Sequence, residues 1–317
     1  METARTLSIV IVGWNVRELL DAALASIYAS THDDASPEVI VVDNASTDGT
    51  AAMVAATYPQ ARLIVNTVNR GFTGANNQGI EAASGKYILL LNPDTEVMEG
   101  ALDQLVAYLE AHPQVGLVAP RLLNPNGTTQ SSRRRFPTLP ILFLESTWLE
   151  GLMPKPLLRQ HYMMDKSDAL EHDVGWVTGA AMLVRRSVIE EVGVFDEDFF
   201  MYSEELDWCR RICDAGWRIA YTPTAEVMHY GGKSSDQVAP ARHIYFQSSK
   251  VRYTQKHHGA LTAELLRLWL LGQYVWQVIL EGLKWTIGHR RPLRAARVKA
   301  YWRVLRSGLR QRQALEL

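Results

Sequence analysis

Short apolar runs rich in Val, Ile and Leu alternate with amphipathic stretches through the first 120 residues. The runs Leu7–Gly13, Glu38–Asp43, 61–66, 87–92 and 115–120 have the length and β-branched content of buried strands. Between them, 16–28, 47–57, 73–83 and 100–110 carry apolar residues at helical spacing. Such alternation predicts an α/β fold with a mostly parallel, Rossmann-like sheet flanked by helices. Periodicity fades over 124–173: Asn124-Pro125-Asn126-Gly127 marks a turn, Arg133-Arg134-Arg135 a basic cluster, and Pro137, Pro140, Pro154 and Pro156 predict an irregular, mobile insertion. Order resumes in a strand-like run at 174–185, a helix at 203–215 closed by Gly216, and a strand at 217–221.

Beyond Ala239 the pattern is helical, and 261–287 is rich in Leu, Trp and Ile, interrupted by Arg267, Glu281 and Lys284. Its longest uncharged stretch, 268–280, has 13 residues, whereas a spanning helix needs about 20. The expectation is therefore a helix lying on a membrane, with Trp269, Tyr274, Trp276 and Trp285 at the headgroup boundary. A helix packed on the protein's own core is the alternative.

Charge strengthens the membrane expectation. Residues 284–317 hold ten Lys and Arg against the single Glu316, a net +9 that leaves −10 for residues 1–283 of a chain whose total is −1. A basic tail on a mildly acidic body suits anionic lipid. The 317 residues are 47% hydrophobic and 21% charged, which excludes a collagen, a coiled coil or a disordered tail and predicts a sizeable core. Cys209 and Cys213, four apart on one predicted helix, have no zinc-type spacing and are expected as reduced thiols. The apolar run 7–12 is too short for a signal segment. A cytoplasmic protein, peripheral on the inner face of the plasma membrane, is the expected localisation.

Two strand ends carry carboxylates. Asp43 closes the second strand, in Asp43-Asn44-Ala45-Ser46-Thr47-Asp48-Gly49-Thr50, and Asp94 follows the fourth, in Leu91-Asn92-Pro93-Asp94. Ligands of open α/β sheets gather at this edge, and two oxygen donors in one cleft suit a hard divalent cation holding a diphosphate. The alternatives are an Asx turn at Asp43 with Ser46 or Thr47 capping the next helix, and a simple Pro-Asp turn at Asp94.

Taken with Asn69-Arg70-Gly71-Phe72, Asn77-Gln78-Gly79, Trp176-Val177-Thr178-Gly179-Ala180, Glu204-Glu205-Leu206-Asp207 and His229-Tyr230-Gly231-Gly232-Lys233-Ser234, these motifs resemble the family 2 glycosyltransferases of GT-A fold, particularly their rhamnosyltransferase-like branch. Residues 6–235 are covered, in the family's order and spacing. The resemblance implies a nucleotide-binding half at 1–120 and an acceptor and catalytic half at 121–238; the hydropathy and charge pattern adds a basic, amphipathic, membrane-associating helical extension at 239–317. It implies that Asp43 recognises the nucleobase, that Asn44, Asn69, Arg70, Asn77 and Asn92 line the nucleotide pocket, and that Asp94 and His229 hold Mn2+ or Mg2+. Asn92 stands where the family has an Asp, which removes one negative charge. Glu205 inherits the position of the general base, usually Asp, with a side chain one methylene longer. Trp176 is implied to contact the acceptor, and Arg133 and Arg134 have the guanidinium forks that suit the diphosphate of a lipid-linked acceptor.

The chemistry implied is an inverting displacement: an acceptor hydroxyl, lipid-linked or on a polysaccharide, attacks the anomeric carbon of a nucleotide-sugar, with dTDP-rhamnose favoured and a UDP-sugar as the alternative. Asp207 and Arg211 read as a structural i,i+4 ion pair. A dinucleotide oxidoreductase would need G-x-G-x-x-G after the first strand, where this chain has Gly13-Trp14-Asn15-Val16-Arg17-Glu18. A non-catalytic membrane-surface or nucleic-acid adaptor explains the tail but not Asp43, Asp94, Glu205 and His229, so no nucleic-acid partner is expected. The sequence leaves the oligomeric state open.

Overall fold

The structure is a computed structural model and describes residues 6–30, 36–231, 239–288 and 290–310. Gly232, Lys233, Ser234, Arg312 and Glu316, used above, lie outside the described residues. The chain forms two compact units. The first takes the chain up to Phe136, Arg159–Glu197 and the stretch from Glu204 through the last strand; the second takes Pro137–Leu158, Asp198–Ser203 and the C-terminal helices.

The first unit follows the predicted alternation: β1 (Leu7–Gly13), α1 (Arg17–Ala29), β2 (Glu38–Asp43), α2 (Thr50–Thr57), β3 (Arg62–Val65), α3 (Gly71–Ala82), β4 (Tyr87–Leu91), β5 (Thr95–Val97), α4 (Ala101–Ala111) and β6 (Val115–Leu123). After β7 (Arg133–Arg134) come α5 (Leu139–Leu144), α6 (Lys155–His161), β8 (His172–Asp173), β9 (Trp176–Val177), β10 (Ala181–Arg185), α7 (Arg186–Val192), α8 (Glu204–Asp214) and β11 (Arg218–His229). The sheet order is β3-β2-β1-β4-β10-β6-β11-β5, with β8 on β11 and a separate β7-β9 pair. The first four strands are parallel, and antiparallel β10 lies between β4 and β6.

Strand alternation divides the core. Ile9 and Ile11 face Leu20, Leu24, Val54 and Leu105 of α1, α2 and α4, while Val10 and Val12 face Ala75, Ile80, Trp208 and Ile212 of α3 and α8. α2 starts at Thr50 rather than 47, because Ser46 and Thr47 bond to Asn15 and the Asp48 carboxylate accepts from Thr50 N at 3.0 Å, with Gly49 left-handed at φ 84°. The 124–173 segment holds short elements instead of an irregular insertion. Pro140 sits at the start of α5, where its missing N–H costs nothing. The run at 174–185 is two strands, β9 and β10, broken at 178–180.

In the second unit, α5 joins α9 (Ala239–His258), α10 (Ala260–Thr286) and α11 (Arg291–Ser307) around Ile244, Leu266, Leu270, Val304 and Leu309. Trp269 donates its indole N–H to Phe143 O at 2.7 Å and Tyr274 is buried, which corrects their expected place at a headgroup boundary. The charges that interrupt α10 are paired: Arg267 with Glu264, and Glu281 with Arg294 at 2.7 Å. Among the described residues, no helix is long and apolar enough to cross a membrane.

α3 approaches the sheet through Gly79, where an added Cβ would lie 2.2 Å from Val10 Cγ1 and 3.3 Å from Val10 Cβ. Val10 is fully buried and branched, so it cannot swing away. Gly79→Ala is expected to destabilise the fold by about 1–3 kcal/mol, measured by denaturant unfolding. Unchanged stability would mean that α3 is free to lift.

Candidate active site

The carboxyl ends of β2, β1 and β4 lie side by side, with Gly13 paired to Asp43 and Ile11 to Leu91. Asp43 and the end of β4 are thus two strand spacings apart, about 10 Å. Asp43 is 1% exposed; its Oδ2 accepts from Ser46 N at 3.3 Å and its Oδ1 has no partner. A buried carboxylate oxygen left unpaired at a sheet edge is a ready acceptor for a ligand N–H.

Several polar residues assigned to a nucleotide pocket are committed to the fold instead. Asn44 accepts from Asn66 Nδ2 and Arg70 N and donates to Asn69 Oδ1 and Gly71 O, using its whole amide. Asn77 is likewise saturated by Phe195 N, Phe195 O and Glu197 Oε1. Asn69 Oδ1 accepts from Asn44 Nδ2 and Gly71 N. These amides fix the loop entering α3. Arg70, exposed beside them, makes no guanidinium hydrogen bond or ion pair among the described residues.

Asp94 and His229 meet. β5 pairs with the end of β11, Thr95 opposite His229, and Tyr230 N donates to Asp94 O at 2.9 Å. This ladder holds His229 Nε2 3.4 Å from Asp94 Oδ1, with Asp94 4% exposed. His229 Nδ1 lies 2.6 Å from Gln130 Oε1, which can only accept, so Nδ1 carries a proton, and in the neutral ring Nε2 is a buried lone pair with no hydrogen bond among the described residues. A neutral imidazole nitrogen and a carboxylate oxygen facing at this distance are donors that fit a divalent ion. Among the described residues, no group of three His, Cys, Asp or Glu gathers as a metal site.

The same edge brings in Glu205. Asn92 N donates to Ala180 O at 2.9 Å, and Ala181 pairs with Leu91. A Cβ added to the neighbouring Gly179 would lie 4.0 Å from Glu205 Cβ and 3.7 Å from the Phe72 ring, which places Glu205 beside this segment. α8 is anchored by Trp208, whose indole donates to Gly193 O, and by Arg211, which pairs with the fully buried Asp207 at 2.9 Å and donates to Val192 O and Val194 O. That pair is structural, as the spacing predicts, but its burial makes breaking it cost about 3–5 kcal/mol rather than a few tenths.

Glu204 and Glu205 each keep one buried oxygen without a partner. Burial, then the neighbouring Glu205 charge, raises the Glu204 pKa well above the ordinary glutamate value; burial pushes Glu205 up to about 7. Glu205 therefore sits where a general base works near neutral pH.

Of the residues expected on the acceptor side, Arg133 is 5% exposed, ion-paired with Asp168 and stacked on Tyr221 with its guanidinium carbon 4.5 Å from the ring centre. Its fork is committed to the fold, which corrects the expectation of a diphosphate contact. Arg134 stacks on Tyr162, and half-buried Trp176 donates to Arg135 O at 3.2 Å. Gln130, which nothing in the sequence singled out, is the residue that motif reasoning missed. Both cysteines are free thiols.

The raised carboxyl pair ties stability to pH. From about the ordinary value of 4.5 up to about 7, the folded chain holds protons that the unfolded chain has released. Their contribution is therefore complete below that window and declines as pH rises through it. Glu204→Gln is expected to raise the Tm near pH 8 while leaving it unchanged near pH 4.5, measured by thermal unfolding across that range. A Tm difference independent of pH would contradict the assignment.

Comparison with known proteins accords with this geometry. The sequence profile described as "Glycosyl transferase family 2" matches residues 8–193. The chain is 31% identical, over 272 residues covering 82% of it and 87% of the relative, to the N-acetylglucosaminyl-diphospho-decaprenol L-rhamnosyltransferase of Mycobacterium tuberculosis (strain ATCC 25618 / H37Rv). It is 26% identical to the low-salt glycan biosynthesis hexosyltransferase Agl10 of Haloferax volcanii, covering 70% of this chain and 66% of the relative. In fold it is similar to the mannosyltransferase PcManGT of Pyrobaculum calidifontis, solved with GDP-Man and Mn2+, at a TM-score of 0.54 and 20% identity over 96% of this chain and 84% of that one. It is also similar to GalNAc-T7, solved with UDP, GalNAc and Mn2+, at a TM-score of 0.56 and 16% identity over 80% of this chain and 48% of that one. With a GT-A sheet carrying paired carboxylate and imidazole donors at one edge, and relatives of this kind, the chain belongs to the family 2 glycosyltransferases, in their rhamnosyltransferase-like group.

Proposed function

We propose that this enzyme transfers a rhamnosyl unit, with inversion, from dTDP-rhamnose to a lipid-linked acceptor in cell-envelope glycan synthesis, using Mn2+ or Mg2+. The observation that carries the reading is the shared edge: Asp94 and His229 face each other just beyond the end of β4, where Asn92 N bonds Ala180 O, and Glu205 stands beside the adjoining Gly179. The rhamnosyl unit and the lipid diphosphate acceptor are supported by the activity that the mycobacterial relative is named for.

In this mechanism Asp43 Oδ1 accepts the imide N–H of a pyrimidine base, and Arg70 and Asn92 approach the diphosphate and sugar. Asp94 and His229 would hold a divalent ion, which would supply positive charge to the leaving diphosphate. Glu205 takes the proton of the acceptor hydroxyl as that oxygen bonds to the anomeric carbon and the bond to the diphosphate breaks, a contribution of about 10²–10⁴ in rate. One displacement with no enzyme nucleophile inverts the anomeric centre. Trp176 and Arg134 are the acceptor-side contacts.

The second unit supports work at the inner face of the cytoplasmic membrane. On α10, exposed Leu261, Leu265, Leu268, Val275, Ile279 and Leu283 fall on one helical face, opposite the buried Ala263, Leu266, Leu270 and Tyr274. A basic tail follows this stripe, so apolar insertion and attraction to anionic headgroups act together.

With dTDP-rhamnose and Mn2+, Glu205→Gln is expected to retain donor binding within a few-fold and lose about 10²–10⁴ in kcat, whereas Asp94→Ala loses Mn2+-dependent donor binding by calorimetry. Full turnover by Glu205→Gln would remove it as the base, and tighter Mn2+-supported binding of UDP-sugars would replace the donor. Leu268→Glu with Ile279→Glu is expected to abolish sedimentation with phosphatidylglycerol vesicles and leave turnover of a soluble acceptor intact. Undiminished vesicle binding would refute the stripe.

A further inference from the structure

The turn Asn124-Pro125-Asn126-Gly127 has no part in the mechanism above, yet it leads straight to the metal pair. It closes a hairpin in which Asn124 N donates to Thr128 O at 2.8 Å, Gly127 N to Asn124 O at 2.8 Å and Gln130 N to Leu122 O at 2.7 Å, with Gly127 left-handed at φ 77°. Inside the hairpin runs a chain of side-chain hydrogen bonds whose direction is fixed at both ends by backbone groups. At the far end Thr128 N, which can only donate, bonds Asn126 Oδ1 at 3.1 Å, so that oxygen is an acceptor, and the Thr128 hydroxyl donates to it as well at 2.6 Å. The hydroxyl oxygen then accepts from Asn124 Nδ2 at 3.0 Å, which turns Asn124 Oδ1 toward Gln130 Nε2 at 3.1 Å. At the near end Gln130 Nε2 also points at His229 O, which can only accept, at 3.4 Å. Gln130 Oε1 is thus left facing His229 Nδ1.

We infer that Gln130, oriented by Asn124 and Thr128, is a positioning residue that holds His229 in the Nδ1–H tautomer and so keeps the Nε2 lone pair aimed beside Asp94. The inference rests on the reading of Asp94 and His229 as cation ligands and adds to it the device that makes the imidazole a ligand before any cation arrives. In the other tautomer Nε2 would carry its proton toward Asp94, forming an internal hydrogen bond that a cation must displace. Partners on the distal nitrogen of a metal-bound histidine commonly change affinity by about 10–100-fold.

The test compares Gln130→Met, Gln130→Glu and His229→Ala in the full chain, with Mn2+ alone titrated by water-proton relaxation. The metal-free proteins are also labelled with 15N-histidine, the His229 signals being those absent from His229→Ala. Gln130→Met is expected to weaken Mn2+ about 10–100-fold and to move the His229 nitrogens away from the Nδ1–H pattern. Gln130→Glu, which keeps an acceptor at Nδ1 but sets a second oxygen against Asn124 Oδ1 and His229 O, is expected to retain the Nδ1–H pattern. Wild-type affinity and tautomer in Gln130→Met, beside a His229→Ala chain that has lost Mn2+, would overturn the inference while leaving the metal pair standing. Unaltered Mn2+ binding by His229→Ala would overturn both.

Discussion

The site depends on the antiparallel insertion of β10 beside β4. A parallel neighbour would bring only its own carboxyl end to this edge; β10 instead begins there, with Ala181 opposite Leu91. Its entry segment, Thr178-Gly179-Ala180, therefore crosses the end of β4, and Asn92 N bonds Ala180 O. That one register ties Asn92 to Ala180, and the adjoining Gly179 lies beside Glu205 Cβ. The second half of the sheet then returns β11 alongside β5, delivering His229 to Asp94.

The edge so formed concentrates unsatisfied acceptors. Asp43 Oδ1, Glu204 Oε2, Glu205 Oε2 and His229 Nε2 are all buried without hydrogen-bond partners, a costly arrangement in a folded protein. Three of them have a counterpart in the proposed reaction: an imide N–H for Asp43, a hydroxyl proton for Glu205 and a cation for His229. Donors on the protein are used elsewhere, with Asn44 and Asn77 saturated by loop backbone and by neighbouring side chains. The residues that shape the pocket are thus distinct from those left open to substrate, although both kinds occur within the same short motifs.

This division explains what the sequence could convey. β1 and β2 were legible to the residue because long β-branched apolar runs have few alternatives as buried strands. Asp43 and Asp94 stood out as candidates by their place at strand ends, Glu205 and His229 only through the family resemblance. Asn44 and Asn77 were not, since a motif records that an asparagine is needed and not whether it faces ligand or loop. β5, with three residues, carries no periodicity of its own. Gln130 stands in a stretch without period, and its importance comes from a partner 99 positions away. The second unit was half legible: amphipathicity predicted helices, but α10 is apolar on two opposed faces, one of them packed internally around Leu266 and Leu270.

The central claim is that Asp94 and His229 form one cation site at the diphosphate end of the cleft. Anomalous diffraction at the manganese edge, from crystals grown with Mn2+ and dTDP, tests it most directly. The account predicts a single peak within coordination distance of Asp94, His229 Nε2 and a diphosphate oxygen. Bound nucleotide with the manganese peak on other side chains, or with no peak between this pair, would contradict it.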